Sequence, residues 1–173
     1  MSDLANYSAH EVLKNGCSIE IRALQPEDEP DMLTAVGKTS PQSLRRRFFA
    51  PKNSFSQKER SFFMKIDFSN HIALVALHEE GSEHLIVCGG RYIVTSPGTA
   101  ELALIVIDQW QGRGIGSLLL RHLIGIAQNR GVTKLIAEVL PENAAMLTVF
   151  RKFGFRTVPG SDPQTIHLSL KFT

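Results

Sequence analysis

Residues 18–24, Ser18-Ile19-Glu20-Ile21-Arg22-Ala23-Leu24, alternate apolar and polar side chains, which predicts a strand with one buried face. Residues 71–77 are apolar almost throughout and predict a strand covered on both faces. Residues 85–94 and 99–107 repeat the strand signature behind two polar turns, Glu79-Glu80-Gly81-Ser82-Glu83 and Ser96-Pro97-Gly98. The three strands make an antiparallel meander, in which Gly89-Gly90 marks a bulge or a close backbone approach. Then the period changes. Ile115, Leu118, Leu119, Leu123 and Ile126 recur at helical spacing over a helix from about 114 to 129, with Gly131 as its stop. Residues 134–140 return to strand. A helix separates them from strand 99–107, so the two strands run parallel through a right-handed crossover. Asn143 caps a helix over 144–153 that Gly154 closes, and residues 155–158 and 165–171 form the last two strands.

The first third of the chain is less regular. Residues 1–17 read as a tail with at most one helical turn, ahead of a single domain over 18–173. Pro26 followed by Glu27, Asp28 and Glu29 suits a helix start, with Met32, Leu33 and Val36 as its apolar stripe and Gly37 weakening its end. Thr39 or Ser40 caps a second helix to about 49, and residues 50–55 are a loop. Ser56-Gln57-Lys58-Glu59 fits a capping box that opens a third short helix bearing Phe62, Phe63 and Ile66. These aromatic-rich helices either complete the core or wall a substrate cleft.

Composition adds little to the fold and excludes some partners. The chain of 173 residues is 43% hydrophobic and 21% charged, with a formal net charge of +2, too small a charge to argue for nucleic acid or a membrane surface. Arg45-Arg46-Arg47 is local and reads as a solvated helix face. Two cysteines, Cys17 and Cys88, cannot build a disulfide framework and lie too far apart for a zinc motif; the six histidines have no metal spacing, and His122 reads as a surface residue. Neither a signal peptide nor a bilayer-length apolar run is present, so a cytoplasmic protein without a metal site is expected.

The candidate chemistry sits between strand 99–107 and the long helix, in Gln111-Gly112-Arg113-Gly114-Ile115-Gly116. Glycines at alternating positions let backbone N–H groups approach a ligand, and the helix start adds open donors and a positive dipole end. Together these form an anion site suited to phosphate. Neither the P-loop spacing nor the dinucleotide fingerprint is present. Glu101 is the only acid inside an otherwise apolar strand, where burial raises a carboxyl pKa toward neutrality; it is a candidate general base, or else a strand-end glutamate facing solvent. Glu138, in strand 134–140, is the second candidate, or else half of a structural ion pair.

The pattern Gln111-x-x-Gly114-x-Gly116 after an apolar strand, with Asn143-Ala144-Ala145-Met146 through Phe150-Arg151-Lys152-Phe153-Gly154-Phe155, resembles the GNAT superfamily of N-acetyltransferases, as does the order of elements from 18 to 172. The resemblance implies an α/β fold of the α+β type. Its sheet is mixed and mostly antiparallel, of about six to seven strands flanked by helices, with strands 99–107 and 134–140 parallel and splayed. It implies acetyl-CoA as acetyl donor, its pyrophosphate held by backbone N–H groups from Gln111 to Gly116, including Gly112 and Ile115. Arg113 either adds a charge-assisted contact or lies in solvent. Backbone groups near Leu104 and Val106 would pair with the pantetheine arm, and Asn143 would touch it as well as capping its helix. Many relatives carry a Tyr in the second motif as general acid; Phe150 stands at that place here.

The N-terminal part narrows the resemblance. Ile21-Arg22-Ala23-Leu24-Gln25-Pro26-Glu27-Asp28, and Thr39-Ser40-Pro41-Gln42-Ser43-Leu44-Arg45-Arg46-Arg47-Phe48-Phe49, are similar to the GNAT domain of bacterial protein-lysine acetyltransferases, in which a segment like Ala100-Glu101-Leu102-Ala103 carries the catalytic glutamate. The expected acceptor is a protein lysine, with a small-molecule amine or a catalytically weak CoA-binding module as alternatives. A monomer or a homodimer is expected.

Overall fold

A computed structural model describes residues 4–38, 40, 56–80, 83–160 and 162–172. Among these, eight strands form one sheet: β1 (Ser8–Val12), β2 (Ser18–Ala23), β3 (His71–Glu80), β4 (Glu83–Ser96), β5 (Thr99–Val106), β6 (Lys134–Val139), β7 (Arg156–Val158) and β8 (Ile166–Lys171). The described helices are α1 (Glu29–Gly37), α2 (Gln57–Met64), α3 (Ile115–Asn129) and α4 (Ala144–Lys152). The strand order is β1-β2-β3-β4-β5-β6-β8-β7, and only the β5–β6 pair is parallel.

β3 shows why the sheet is the centre of the fold. Ile72, Leu74 and Ala76 enter one buried cluster with Leu119, Leu120 and Leu123 of α3. Ala73, Val75 and Leu77 enter a second, against Met32 and Ala35 of α1 and Met64 of α2. Period-two alternation thus sends successive residues into two cores, one on each face, as its unbroken apolar run predicts. α3 lies close on β4 because Gly90 has no side chain: a Cβ there would stand 2.9 Å from a Leu123 methyl carbon and 2.5 Å from one of Leu104. The register shifts lie elsewhere, between Ala76 and Leu77 in the β3–β4 ladder and between Val94 and Ser96 in the β4–β5 ladder.

Local signals place the helix ends. The Ser56 hydroxyl accepts from the Glu59 N–H at 3.1 Å and the Glu59 carboxylate accepts from the Ser56 N–H at 3.1 Å, so the capping box forms. Asn143 caps α4 by accepting from the Met146 N–H at 3.4 Å. Pro26–Asp28 forms a 3-10 turn, and the α-helix begins only at Glu29. That turn is locked by Asp28, whose carboxylate takes the Arg22 guanidinium at 2.7 and 2.8 Å and the Gln25 N–H at 2.7 Å. Burial pushes the Asp28 carboxyl up, but the Arg22 and Gln25 hydrogen bonds outweigh it and hold its pKa below the usual value.

The structure differs from expectation at the N-terminus. Residues 8–12, within the stretch read as a tail, pair with β2 from Ser8↔Arg22 to Val12↔Ser18, which brings the sheet to eight strands. Apolar alternation is weak there, and long-range contacts to α3 hold the strand instead. The Tyr7 hydroxyl meets His122 Nδ1 at 2.5 Å, and the Glu11 carboxylate takes His122 Nε2 at 2.9 Å and the Arg121 guanidinium at 3.0 Å. His122 is therefore an interior link of the fold, not a surface residue. The helix expected over 39–49, with Arg45, Arg46, Arg47, Phe48 and Phe49, and the loop 50–55 lie outside the described residues, apart from Ser40, whose N–H donates to the Asp108 carboxylate at 2.9 Å.

Candidate active site

The parallel ladder between β5 and β6 is short. It pairs Thr99↔Lys134, Ala100↔Leu135 and Glu101↔Ile136 and goes no further, although both strands continue. Beyond Glu101 the strands part, and a cleft of about 470 Å³ opens between them. That volume falls in the range of small-molecule sites, roughly 300–1,000 Å³. One wall is β5 from Leu102 to Val106 with the turn after it; the other is the end of β6 and α4 from Asn143 to Phe150.

β5 presents backbone to the opening. The Ile107 N–H donates to the Val87 carbonyl at 3.1 Å, so odd-numbered residues of the ladder turn their hydrogen-bonding groups to β4. Leu104 and Val106 turn theirs to the cleft. One of these groups is already engaged: the Val106 carbonyl accepts from the Gln111 side-chain amide at 3.0 Å. This is a use of Gln111 that its place in the glycine motif did not suggest.

The glycine turn reaches the helix in two unusual steps. Gly112 and Gly114 have φ of 78° and 86°, in the left-handed region that favours glycine. Gly114 is the N-cap of α3 and has no side chain to cap with, and the first intrahelical bond is Leu118 N–H to Gly114 carbonyl at 3.1 Å. The N–H groups of Ile115, Gly116 and Ser117 therefore have no intrahelical acceptor, and all three residues line the cleft. The Gln111 N–H is spent on the Asp108 carbonyl at 3.2 Å, so the donor set begins after Gln111 rather than at it.

Arg113, expected either to contact a ligand or to lie in solvent, is set on an aromatic ring. It does not line the cleft; its guanidinium lies 4.6 Å from the centroid of the Trp110 ring, a cation–π contact. Trp110 packs in turn on His78, with ring centroids 4.7 Å apart, and itself lines the cleft. Spacing gives Trp110, just ahead of the motif, no role; its aromatic bulk between strand and turn is the available signal.

The two carboxylates share a sheet face. Glu101 alternates with the buried Ala100 and Leu102, which places it with Ala103 and Ile105 on the face covered by α1 and α2. Ile136 is its register partner, so Glu138, two residues on, faces the same way. Both line the cleft. Glu101 is exposed, so the burial expected around its carboxyl is not there; the pleat of β5 turns it outward. Glu138 is half-buried and paired with His167, Nδ1 to Oε1 3.4 Å. Asn143 lines the cleft beside its capping role, and Phe150, 2% exposed, presents a ring packed edge-on against Phe155 and no exchangeable proton. Among the described residues there is no group of acids, histidines and cysteines able to hold a metal ion. Among them, too, no helix is long and apolar enough to cross a membrane.

Open helix-start N–H groups, left-handed glycines and a backbone-lined slot between parted strands fit a long acyl carrier with a phosphate-bearing end. Comparison with known proteins agrees. The acetyltransferase (GNAT) family profile matches residues 23–155. An acetyltransferase of Pseudomonas aeruginosa is 30% identical over 160 residues, covering 91% of this chain and 86% of its own. Acetyltransferase Pat of Mycolicibacterium smegmatis is 29% identical over 136 residues, covering 78% of this chain, which spans only 40% of that longer protein. The crystal structure of the GNAT domain of S. lividans PAT superposes with a TM-score of 0.88 at 29% identity, covering 95% of this chain and 97% of that one. The chain belongs to the GNAT family of acetyltransferases, enzymes that take their acetyl group from acetyl-CoA and deliver it to an amine.

Proposed function

We propose that the protein acetylates the side-chain amine of a protein lysine, with Glu101 as general base. The observation that carries this reading is the position of Glu101: it is the last paired residue of β5 before the strands part, and its side chain lines the cleft on the α1/α2 face. A carboxylate there stands where a donor lying between the strands meets an acceptor arriving over that face. The resemblance of residues 21–28 to protein-lysine acetyltransferases supports the acceptor class.

Acetyl-CoA would supply an activated thioester. The N–H groups of Ile115, Gly116 and Ser117 hold its pyrophosphate, and Gly112 and Gly114 keep side chains out of the way. Leu104 and the Val106 N–H bind its arm, with Asn143 on the opposite wall. Arg113, set on Trp110, buttresses the turn. A free lysine has a pKa of about 10.4 and is mostly protonated at neutral pH, so it is inert until a base takes its proton. Glu101 accepts that proton, directly or through a water, and exposure keeps it in exchange with solvent. The amine forms the new C–N bond, and the C–S bond breaks with the electron pair on sulfur. A thiolate leaves without a strong acid, which Phe150 does not provide.

The test is turnover of acetyl-CoA with lysine peptides, polyamines and free amino acids, together with Glu101→Gln. The reading requires peptide acetylation in the wild type. It also requires a fall in kcat/KM of about 10²–10⁴ in the variant at neutral pH, with acetyl-CoA affinity unchanged. Turnover confined to small amines removes the protein acceptor, and an unchanged variant removes Glu101 as base.

A further inference from the structure

We propose that Glu138 is the carboxylate that binds and orients the acceptor's ammonium group, and that His167 is its positioning residue. The inference rests on the reading that the acceptor approaches over the Glu101 face.

Glu138 and His167 are direct cross-strand partners in the β6–β8 ladder, so both stand on that face. His167 Nε2 lies 3.2 Å from the Asp162 carbonyl and 3.2 Å from the Thr165 hydroxyl. The Asp162 carbonyl and the Thr165 hydroxyl hold the Nε2 edge of the ring, which leaves Nδ1 turned to the Glu138 carboxylate at 3.4 Å. The ring has no room to turn away. A Cβ on Gly160 would fall 2.0 Å from ring atoms of His167, so the chain after β7 passes directly over the imidazole, and only glycine permits that approach.

The clamp leaves Glu138 within reach of a ligand: its side chain keeps 32% of its exposure and that of His167 16%. Its effect is to hold a long, flexible carboxylate in one place at the rim of the cleft, two residues along the sheet face from the register of the proposed base. Strand geometry separates the two Cα atoms by roughly 8 Å or more, a span over which two glutamates converge on one nitrogen. Glu101 takes the proton and Glu138 holds the ammonium in place while it is taken. Pre-organisation of this sort acts on acceptor binding more than on the chemical step.

Two experiments decide the matter. The first needs no turnover: n-butylammonium, a mimic of the lysine side chain, is titrated into the CoA-loaded protein while the His167 ring resonances are followed by NMR. A saturable shift of those resonances is expected, lost in Glu138→Gln. No shift, or the same shift in the variant, overturns the proposal. The second is kinetic. Glu138→Gln and His167→Ala should each raise the acceptor KM about tenfold or more, with kcat within about threefold and acetyl-CoA affinity unchanged. The double variant should be no worse than Glu138→Gln, because His167 acts through it. Additive losses, or a fall in kcat alone, overturn it. A wild type that shows the NMR shift but acetylates no lysine peptide contradicts the protein-lysine reading and leaves this one standing.

Discussion

Gly114 and Gly116 sit two residues apart in one turn, and the structure constrains them differently. Gly114 has φ +86° with nothing within 4 Å of an added Cβ, so Gly114→Ala meets a backbone penalty of about 1–2 kcal/mol and no clash. Gly116 is helical, and its added Cβ would meet Val106 at an ordinary 3.6 Å. Gly116→Ala should therefore leave stability unchanged or raise it by up to about 1 kcal/mol, the usual gain in a helix. The same methyl stands at the cleft wall, so affinity for acetyl-CoA should drop. Thermal melts beside calorimetric titration would show the two effects moving in opposite directions; a destabilised variant with unchanged affinity would contradict the assignment of the turn. Trp110 is the chain's only tryptophan and carries Arg113 on its ring at the cleft edge. Its fluorescence should change on CoA binding, and Arg113→Ala should alter the emission of the free protein.

Among the elements, those with local punctuation matched expectation. The Ser56–Glu59 capping box, the Asn143 cap and the glycine after α4 are written into neighbouring residues, and each formed. The Asn143 bond is long, 3.4 Å, so Asn143→Ala should cost about 0.5–1 kcal/mol, at the low end for a cap, measured from urea midpoints. β1 was missed for the opposite reason. Ser8–Val12 has no clear alternation; its pairing with β2 runs across the short turn at Asn15 and Gly16, and only the links of Tyr7 and Glu11 to His122 join residues more than 100 positions apart. Glu101 takes the solvent-facing of its two expected positions, a choice left open because an apolar strand does not reveal which side of its pleat a helix covers.

At the scale of the whole molecule, the Arg22–Asp28 pair ties β2 to the turn before α1, and its charge state sets an acid limit. The folded-state pKa of Asp28 lies below its unfolded value of about 3.9. Its contribution is therefore fully present above that pH and is lost as pH falls through the folded value. Asp28→Asn should lower stability at neutral pH by about 1.5–3 kcal/mol, since it leaves the Arg22 guanidinium with Glu20, at 3.4 Å, as its carboxylate partner. It should also flatten the acid limb of the stability curve below about pH 4. An acid limb identical to that of the wild type would show that the pair does not control it.

What the sequence determined by itself was the order of strands from β2 onward, the parallel step from β5 to β6 and the glycine turn with its open helix start. Each rests on periodicity or on a backbone requirement that neighbouring residues express. Tertiary structure alone decided where the β5–β6 ladder stops, and hence that a cleft exists, because that register pairs residues 35 positions apart in the chain. It also put Glu101, Glu138 and His167 on one face from three different strands. Register between strands distant in sequence is set by packing on both faces of the sheet, which no short stretch of chain encodes.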